Sequence, residues 1–186
     1  SDEKITALIP IKTFDDQHHL FMATQRGVVK KTNLAAYSNP RKGGIIALGL
    51  EEGDKLVNVI LTDGNQEVLM ATREGMAVRF HEKGVRPMGR TATGVRGIKL
   101  KGNDHVIGLV HAPSNKTLLT VTEKGYGKRT DVEEYREIHR GGSGVRNILC
   151  TDKNGKVVSI NTVDESDEII LISKNGIIIR VPVNAI

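Results

Sequence analysis

Short apolar runs, rich in β-branched residues, recur along the chain between polar clusters of Gly, Asn and Asp. They fall at 5–11, 20–24, 28–32 and 45–50, then at 56–62, 68–72, 76–80 and 95–100. A third set occupies 106–111, 118–122, 126–130 and 145–150, and a fourth 157–163, 169–173 and 177–183. Each run has the length and composition of a strand. Only 132–137, behind a capping-box pattern from Asp131 to Glu134, offers a turn or so of helix. A helical repeat would sustain a 3.6-residue period over ten residues or more.

The runs group into repeats. Ala23-Thr24-Gln25-Arg26-Gly27-Val28-Val29-Lys30-Lys31 returns as Ala71 to Arg79, Val121 to Arg129 and Ile172 to Arg180, with glycines at 27, 75, 125 and 176. A second glycine set, 44, 94 and 144, keeps a spacing of 50. Glycine in the first set supplies the positive φ of a tight, two-residue hairpin turn. Four short antiparallel strands per ~50 residues predict an all-β fold, a β-propeller of four-stranded blades. The expected blades are 5–50, 56–100, 106–150 and a partial 157–186, three complete and one incomplete, within one propeller fragment spanning 1–186.

Charge follows the same period. The net charge is only +5, from 27 basic and 22 acidic residues, but residues 76–101 hold seven cations, Arg86 among them, against Glu82 alone. From 151 to 169 the balance reverses. The fourth residue after each marker glycine is basic: Lys31, Arg79, Arg129 and Arg180, with Lys30 and Lys128 one place earlier. A strand position repeated radially predicts equivalent cations along one rim. A second basic set lies in the loop before the last strand of each blade: Arg41 and Lys42, Arg90 and Arg96, Arg140 and Arg146. Its glycines expose backbone N–H groups to phosphate oxygens. Lys and Arg also serve simply as solvated strand edges, and recurrence in register across the units favours the rail. Duplex DNA, with a charge every ~1.7 Å, suits such a rail. No base-reading helix is evident, so contacts to the backbone with bending are expected.

The remaining composition excludes alternatives. One cysteine, Cys150, reads as an inert core thiol and excludes a disulfide framework. No apolar run approaches the ~18 residues of a membrane span, and no signal peptide opens the chain. Without tryptophan, and with six Phe and Tyr residues in all, stacking platforms for single strands are scarce. His18, His19, His81, His105, His111 and His139 lack metal-ligand spacing. Asp63, Asp104, Asp152 and Asp164 sit mostly at hairpin loops, as Asx turns require. No nucleophile, carboxylate pair or Walker-type loop stands out, so no catalytic residue, metal or cofactor is expected. A protein-interaction propeller of kelch or WD type is the alternative, although its tryptophans are absent.

Gly125-Tyr126-Gly127-Lys128-Arg129-Thr130, with Thr93-Gly94-Val95-Arg96-Gly97-Ile98 and Val78-Arg79-Phe80, closely resembles the C-terminal domain of bacterial DNA gyrase A. The resemblance implies a six-bladed propeller, often an open spiral, that wraps duplex DNA on its basic outer edge. It further implies a non-catalytic module positioning DNA for negative supercoiling by a cytoplasmic, nucleoid-associated type II topoisomerase. The implied partners are duplex DNA, the rest of gyrase A, and gyrase B, with ATP and Mg on other domains. The corresponding domain of topoisomerase IV is the related alternative. Two departures stand out. The family's heptapeptide Gln-Arg-Arg-Gly-Gly-Lys-Gly is represented only by Ile138-His139-Arg140-Gly141-Gly142-Ser143-Gly144, which matches at four places in a later blade. The chain also reads as lacking the first blade and the end.

Overall fold

A computed structural model describes residues 4–186, so the first three residues of the expected span 1–186 lie outside it. The chain is all-β and every named strand pairing is antiparallel. β1 (His19–Thr24) and β2 (Val28–Asn33) form a hairpin, and β3 (Leu56–Thr62) pairs with β1 on its other side. β4 (Glu67–Thr72) and β5 (Met76–His81) open the next sheet. The chain then returns to the first sheet, where β6 (Val95–Arg96) pairs with β2. The cycle repeats. β7 (Val106–His111) pairs with β4, β8 (Thr117–Thr122) with β9 (Gly127–Asp131), and β10 (Val145–Arg146) reaches back to β5. β11 (Val157–Val163) pairs with β8, and β12 (Glu168–Ile172) with β13 (Ile178–Pro182).

The sheet orders are β3-β1-β2-β6, β10-β5-β4-β7, β11-β8-β9 and β12-β13. β7 packs against both β3 and β11, which places these strands on the inner side of a β-propeller. β6 and β10 therefore form the outer edge. Neighbouring sheets stack face to face, so β1, β2, β4 and β5 are buried along most of their length on both faces. Phe21 of the first sheet meets Phe80 of the second at 6.2 Å between ring centroids, tilted by 49°. On the inner side the Asn58 amide donates to Leu109 O at 2.9 Å, and the Thr162 hydroxyl to His111 O at 2.5 Å.

Several expected boundaries change. The sheets do not follow the units 5–50, 56–100, 106–150 and 157–186, because all but the two-stranded one draw their strands from more than one of them. A strand expected to open one unit closes the sheet before it, and the last strand of a unit crosses to the outer edge of the preceding sheet. Two sheets are four-stranded, one three-stranded and one two-stranded. One period beyond Val145, where the third sheet's outer strand would fall, lies past Ile186. The runs 5–11 and 45–50 are not strands, and Ile5 and Leu8 are each 92% exposed. Their repeat equivalents, β3, β7 and β11 for the first run and β6 and β10 for the second, each pair with a hairpin earlier in the chain, and the described residues hold no hairpin before β1. The runs 95–100 and 145–150 pair only at their first two residues. Beyond these, Ile98 and Asn147 turn inward and are buried. The helical candidate shrinks to a 3-10 turn over Val132–Glu134, and Asp131 makes no side-chain cap bond.

The marker glycines adopt φ near +80°, at +82° for Gly27, +85° for Gly75, +81° for Gly125 and +80° for Gly176. The hairpin loops hold three residues rather than two: Ala23 pairs with Val29 and Gly27 N–H donates to Thr24 O at 3.0 Å. That is a type I turn closed by a left-handed glycine. At Gly75 an added Cβ would fall on the carbonyl oxygen of Ile148, whereas at Gly176 it meets nothing. We therefore expect Gly176→Ala to cost about 1–2 kcal/mol for the left-handed backbone alone. Gly75→Ala should cost more, because the Ile148 strand end must also move. Urea midpoints of the two variants check the order.

Candidate nucleic-acid interface

The repeated cation four places after the marker glycine does not line the rim. Lys31 is 5% exposed at its side chain, and its Nζ donates to Glu82 O at 3.0 Å with Glu82 Oε2 at 3.5 Å. Glu82 is fully buried and also accepts from Thr62 Oγ1 and Gln66 N. Arg79, 8% exposed, donates from Nε to Glu67 at 2.8 Å and from Nη1 to Val132 O and Tyr135 O at 3.0 and 3.2 Å. Each of these two cations therefore bolts its sheet to the turn that follows the next sheet's hairpin. Arg129 pairs with Glu165 at 2.5 Å and is 17% exposed; Arg180, paired with Glu168, is 69% exposed. Exposure rises as the following sheet thins and then is absent. The expected rail through Lys31, Arg79, Arg129 and Arg180 is thus corrected: Lys31 and Arg79 are buried joints between sheets, Arg129 is largely buried against Glu165, and the exposed Arg180 pairs within its own hairpin. Lys30 is likewise fully buried, not a surface cation. Where both faces of a blade are covered, a strand position faces the neighbouring sheet and not solvent.

The second basic set occupies the outer edge. The chain leaving β5 runs back along β2, where Met88 N–H donates to Lys31 O at 2.8 Å, and continues into β6. The chain leaving β9 runs along β5 in the same way, with Ile138 N–H on Arg79 O at 3.0 Å, and continues into β10. Arg86 and Arg96 are exposed on the edge of the first sheet and Arg146 on the edge of the second; Arg41 and Lys42 are exposed in the preceding loop. Arg90, Lys128 and Arg140 are half-buried.

Adjacent rim segments are joined by hydrogen bonds repeated one period apart. Gly49 N–H donates to Ala92 O at 3.2 Å, and Lys99 N–H to Gly142 O at 2.8 Å. Arg90 Nη1 donates to Ile46 O at 2.8 Å, and Arg140 Nη1 to Arg96 O at 3.2 Å. Arg90 and Arg140 therefore use part of each guanidinium to hold the rim together. No Asp or Glu occurs within 33–50, 83–103 or 138–151, the stretches that build this edge. These stretches are purely basic although the chain as a whole is nearly balanced, and the exposed Glu133, Glu134 and Glu137 flank Arg136 just before the third.

Lys83, Lys99 and Lys101 of the basic stretch 76–101, and Arg136, are also exposed, although neither repeated basic set includes them. Arg136 lies 50 residues after Arg86, so the period itself would have found it, whereas the glycine markers do not reach that far. Cys150 is half-buried beside Arg73 O, and burial pushes its thiol up, away from reactivity. Among the described residues no group of three or more His, Cys, Asp or Glu could hold a metal ion, and no helix is long and apolar enough to cross a membrane.

The family model described as "DNA gyrase C-terminal domain, beta-propeller" matches residues 18–63, 66–112, 116–164 and 167–186. Its first three segments each run from the start of one sheet's hairpin to the end of that sheet's inner strand. The chain is 61% identical over its whole length to the DNA gyrase A protein of Halalkalibacterium halodurans, of which it covers 22%. It is 43% identical to the DNA gyrase A protein of Escherichia coli K12, of which it covers 21%. It thus spans about one fifth of these relatives. A solved C-terminal domain of DNA topoisomerase IV superposes with a TM-score of 0.93 at 29% identity, covering all of this chain and 58% of that one. A solved DNA gyrase A C-terminal domain gives 0.80, also at 29% identity, over 91% of this chain and 57% of that one. With the matched segments spanning most of its sheets, the chain belongs to the DNA gyrase C-terminal domain family of β-propellers.

Proposed function

We propose that the chain binds duplex DNA along its outer edge and bends it, as the wrapping module of a type II topoisomerase. The observation that carries this reading is the edge itself: three acid-free stretches joined by hydrogen bonds, presenting Arg41, Lys42, Arg86, Arg96 and Arg146 to solvent. Arg90 and Arg140 stand partly exposed in the same stretches, and Lys128 and Arg129 are partly exposed on β9. Guanidinium groups set along one edge suit phosphates, and bending the duplex brings more of them into reach. No α-helix is present among the described residues to enter a major groove. Binding therefore depends on the DNA backbone and on its deformability.

In this reading the bound segment is presented to the remainder of a gyrase A protein and to gyrase B, which carry the ATP- and Mg-dependent chemistry. The setting is the bacterial cytoplasm, at the nucleoid. The chain contributes geometry, not catalysis.

The test is topological. Relaxed circular DNA is incubated with the chain, treated with a type I topoisomerase and stripped of protein. A shift in linking number that grows with bound chain is the expected result, and retention without any shift would show binding without wrapping. Affinity should also fall by about 10³ between 50 and 200 mM salt if some six phosphates are contacted.

A further inference from the structure

We infer that Lys30 is a positioning residue of the rim, whose ammonium group ties the loop carrying Arg41 and Lys42 to the loop carrying Arg86 and Arg90. The inference rests on the wrapping function proposed above. Lys30 is fully buried in β2, and its Nζ donates to Ala47 O at 2.7 Å and to Arg90 O. Those carbonyls belong to two successive rim segments. The Tyr37 hydroxyl donates to the same Ala47 oxygen at 3.1 Å, and Arg90 Nη1 closes the arrangement on Ile46 O. No carboxylate bonds to the ammonium, unlike Lys31 or Arg79.

The repeat supplies an internal comparison. The equivalent of Lys30 in the second blade is Val78, which is buried in the apolar core. Burying an ammonium without a counter-charge costs stability that valine does not. The first rim segment also differs from the others, since its cations sit in the loop at 41 and 42 instead of on an edge strand. That loop has no paired strand of its own, so side-chain ties carry much of its placement. Lys30, Tyr37 and Arg90 supply the side-chain ties, beside the one backbone bond from Gly49 N–H to Ala92 O.

Burial, reinforced by the nearby Arg90 charge, holds Lys30 at about 8. Burial pushes the Tyr37 hydroxyl up, so of these two groups Lys30 is the one that titrates between pH 7 and 9. A neutral amine still donates, but its bonds lack charge assistance and are about half as strong. The tie slackens and one positive charge leaves the rim as pH rises through that range.

The test uses Lys30→Val, the residue the second blade employs, with Lys30→Met as a second variant of matched length. Hydrogen exchange over 38–50 should quicken by about tenfold in either variant. The linking-number change per bound chain should fall by about a third, the share of one rim segment in three. Wild-type affinity for duplex should drop several-fold, roughly two to five, from pH 7 to 9, and the variants should show no such drop. Unchanged exchange over 38–50 overturns the tie whatever the DNA does, and so does a pH-independent wild-type affinity. If wild-type chain binds duplex without shifting linking number, the wrapping function fails while the exchange result still decides the tie.

Discussion

Changing Arg86, Arg96, Arg136 and Arg146 together to Glu should abolish retention of duplex DNA at physiological salt. All four are exposed, two along the outer edge of the first sheet and two along that of the second. Each phosphate neutralised by one of them contributes about 0.9 to the slope of log affinity against log salt, so without the four the slope falls by about 3.6. Replacement by Glu adds repulsion to that effect. Neutral Gln versions should give the smaller slope without the repulsion. The weakening should be nearly equal for unrelated sequences, because the phosphates carry the contacts. Gel retardation at several salt concentrations measures both the slope and the sequence independence. An unchanged slope in the Gln variant would remove this edge from the binding surface.

The second large effect is on stability. Lys31→Met should cost about 3–5 kcal/mol, because it leaves the Glu82 carboxylate buried with its counter-charge gone. Thr62 and Gln66 still bond that carboxylate but bring no positive charge. For a chain of 186 residues such a loss lowers the melting temperature by roughly 6–20 °C. The repeat-equivalent Arg180→Met, at a well-exposed pair, should sit within about 0.5 kcal/mol of wild type. Calorimetry on the two variants compares them directly. Equal losses would mean that the position works through local strand packing, not through the joint to the next blade.

The pairing of these predictions reflects what the sequence could and could not disclose. Gly27, Gly75, Gly125 and Gly176 mark a turn that needs positive φ, a local requirement, and the structure places each one at the left-handed end of a hairpin. The all-β class and the propeller were legible for the same reason: β-branched runs and turn glycines act within a few residues of each other. The destination of 95–100 and 145–150 was not legible. Whether a two-residue edge strand joins its own hairpin or the preceding one depends on tertiary contacts that a period cannot express. Lys31 and Arg79 show the same limit from the side of charge. Periodicity identified them as equivalent, but equivalence fits a buried joint as well as an exposed rim. Their partners, Glu82 and Glu67, lie in different elements and at different offsets, 51 residues on and 12 back. Arg96 and Arg146, in contrast, sit beside loop glycines on an edge strand, and exposure follows from that setting.

The return of β6 and β10 to the sheet before their own carries a consequence for how the molecule comes apart. A blade whose outermost strand is supplied by its successor cannot melt alone, because its successor's connector must peel away with it. Neighbours thus overlap like shingles, and the interface term between them rivals the stability within each. Denaturation should proceed as a single sigmoidal step across the first three sheets. Proteolytic nicking after β5 should weaken the hairpin of β1 and β2, some fifty residues upstream of the cut.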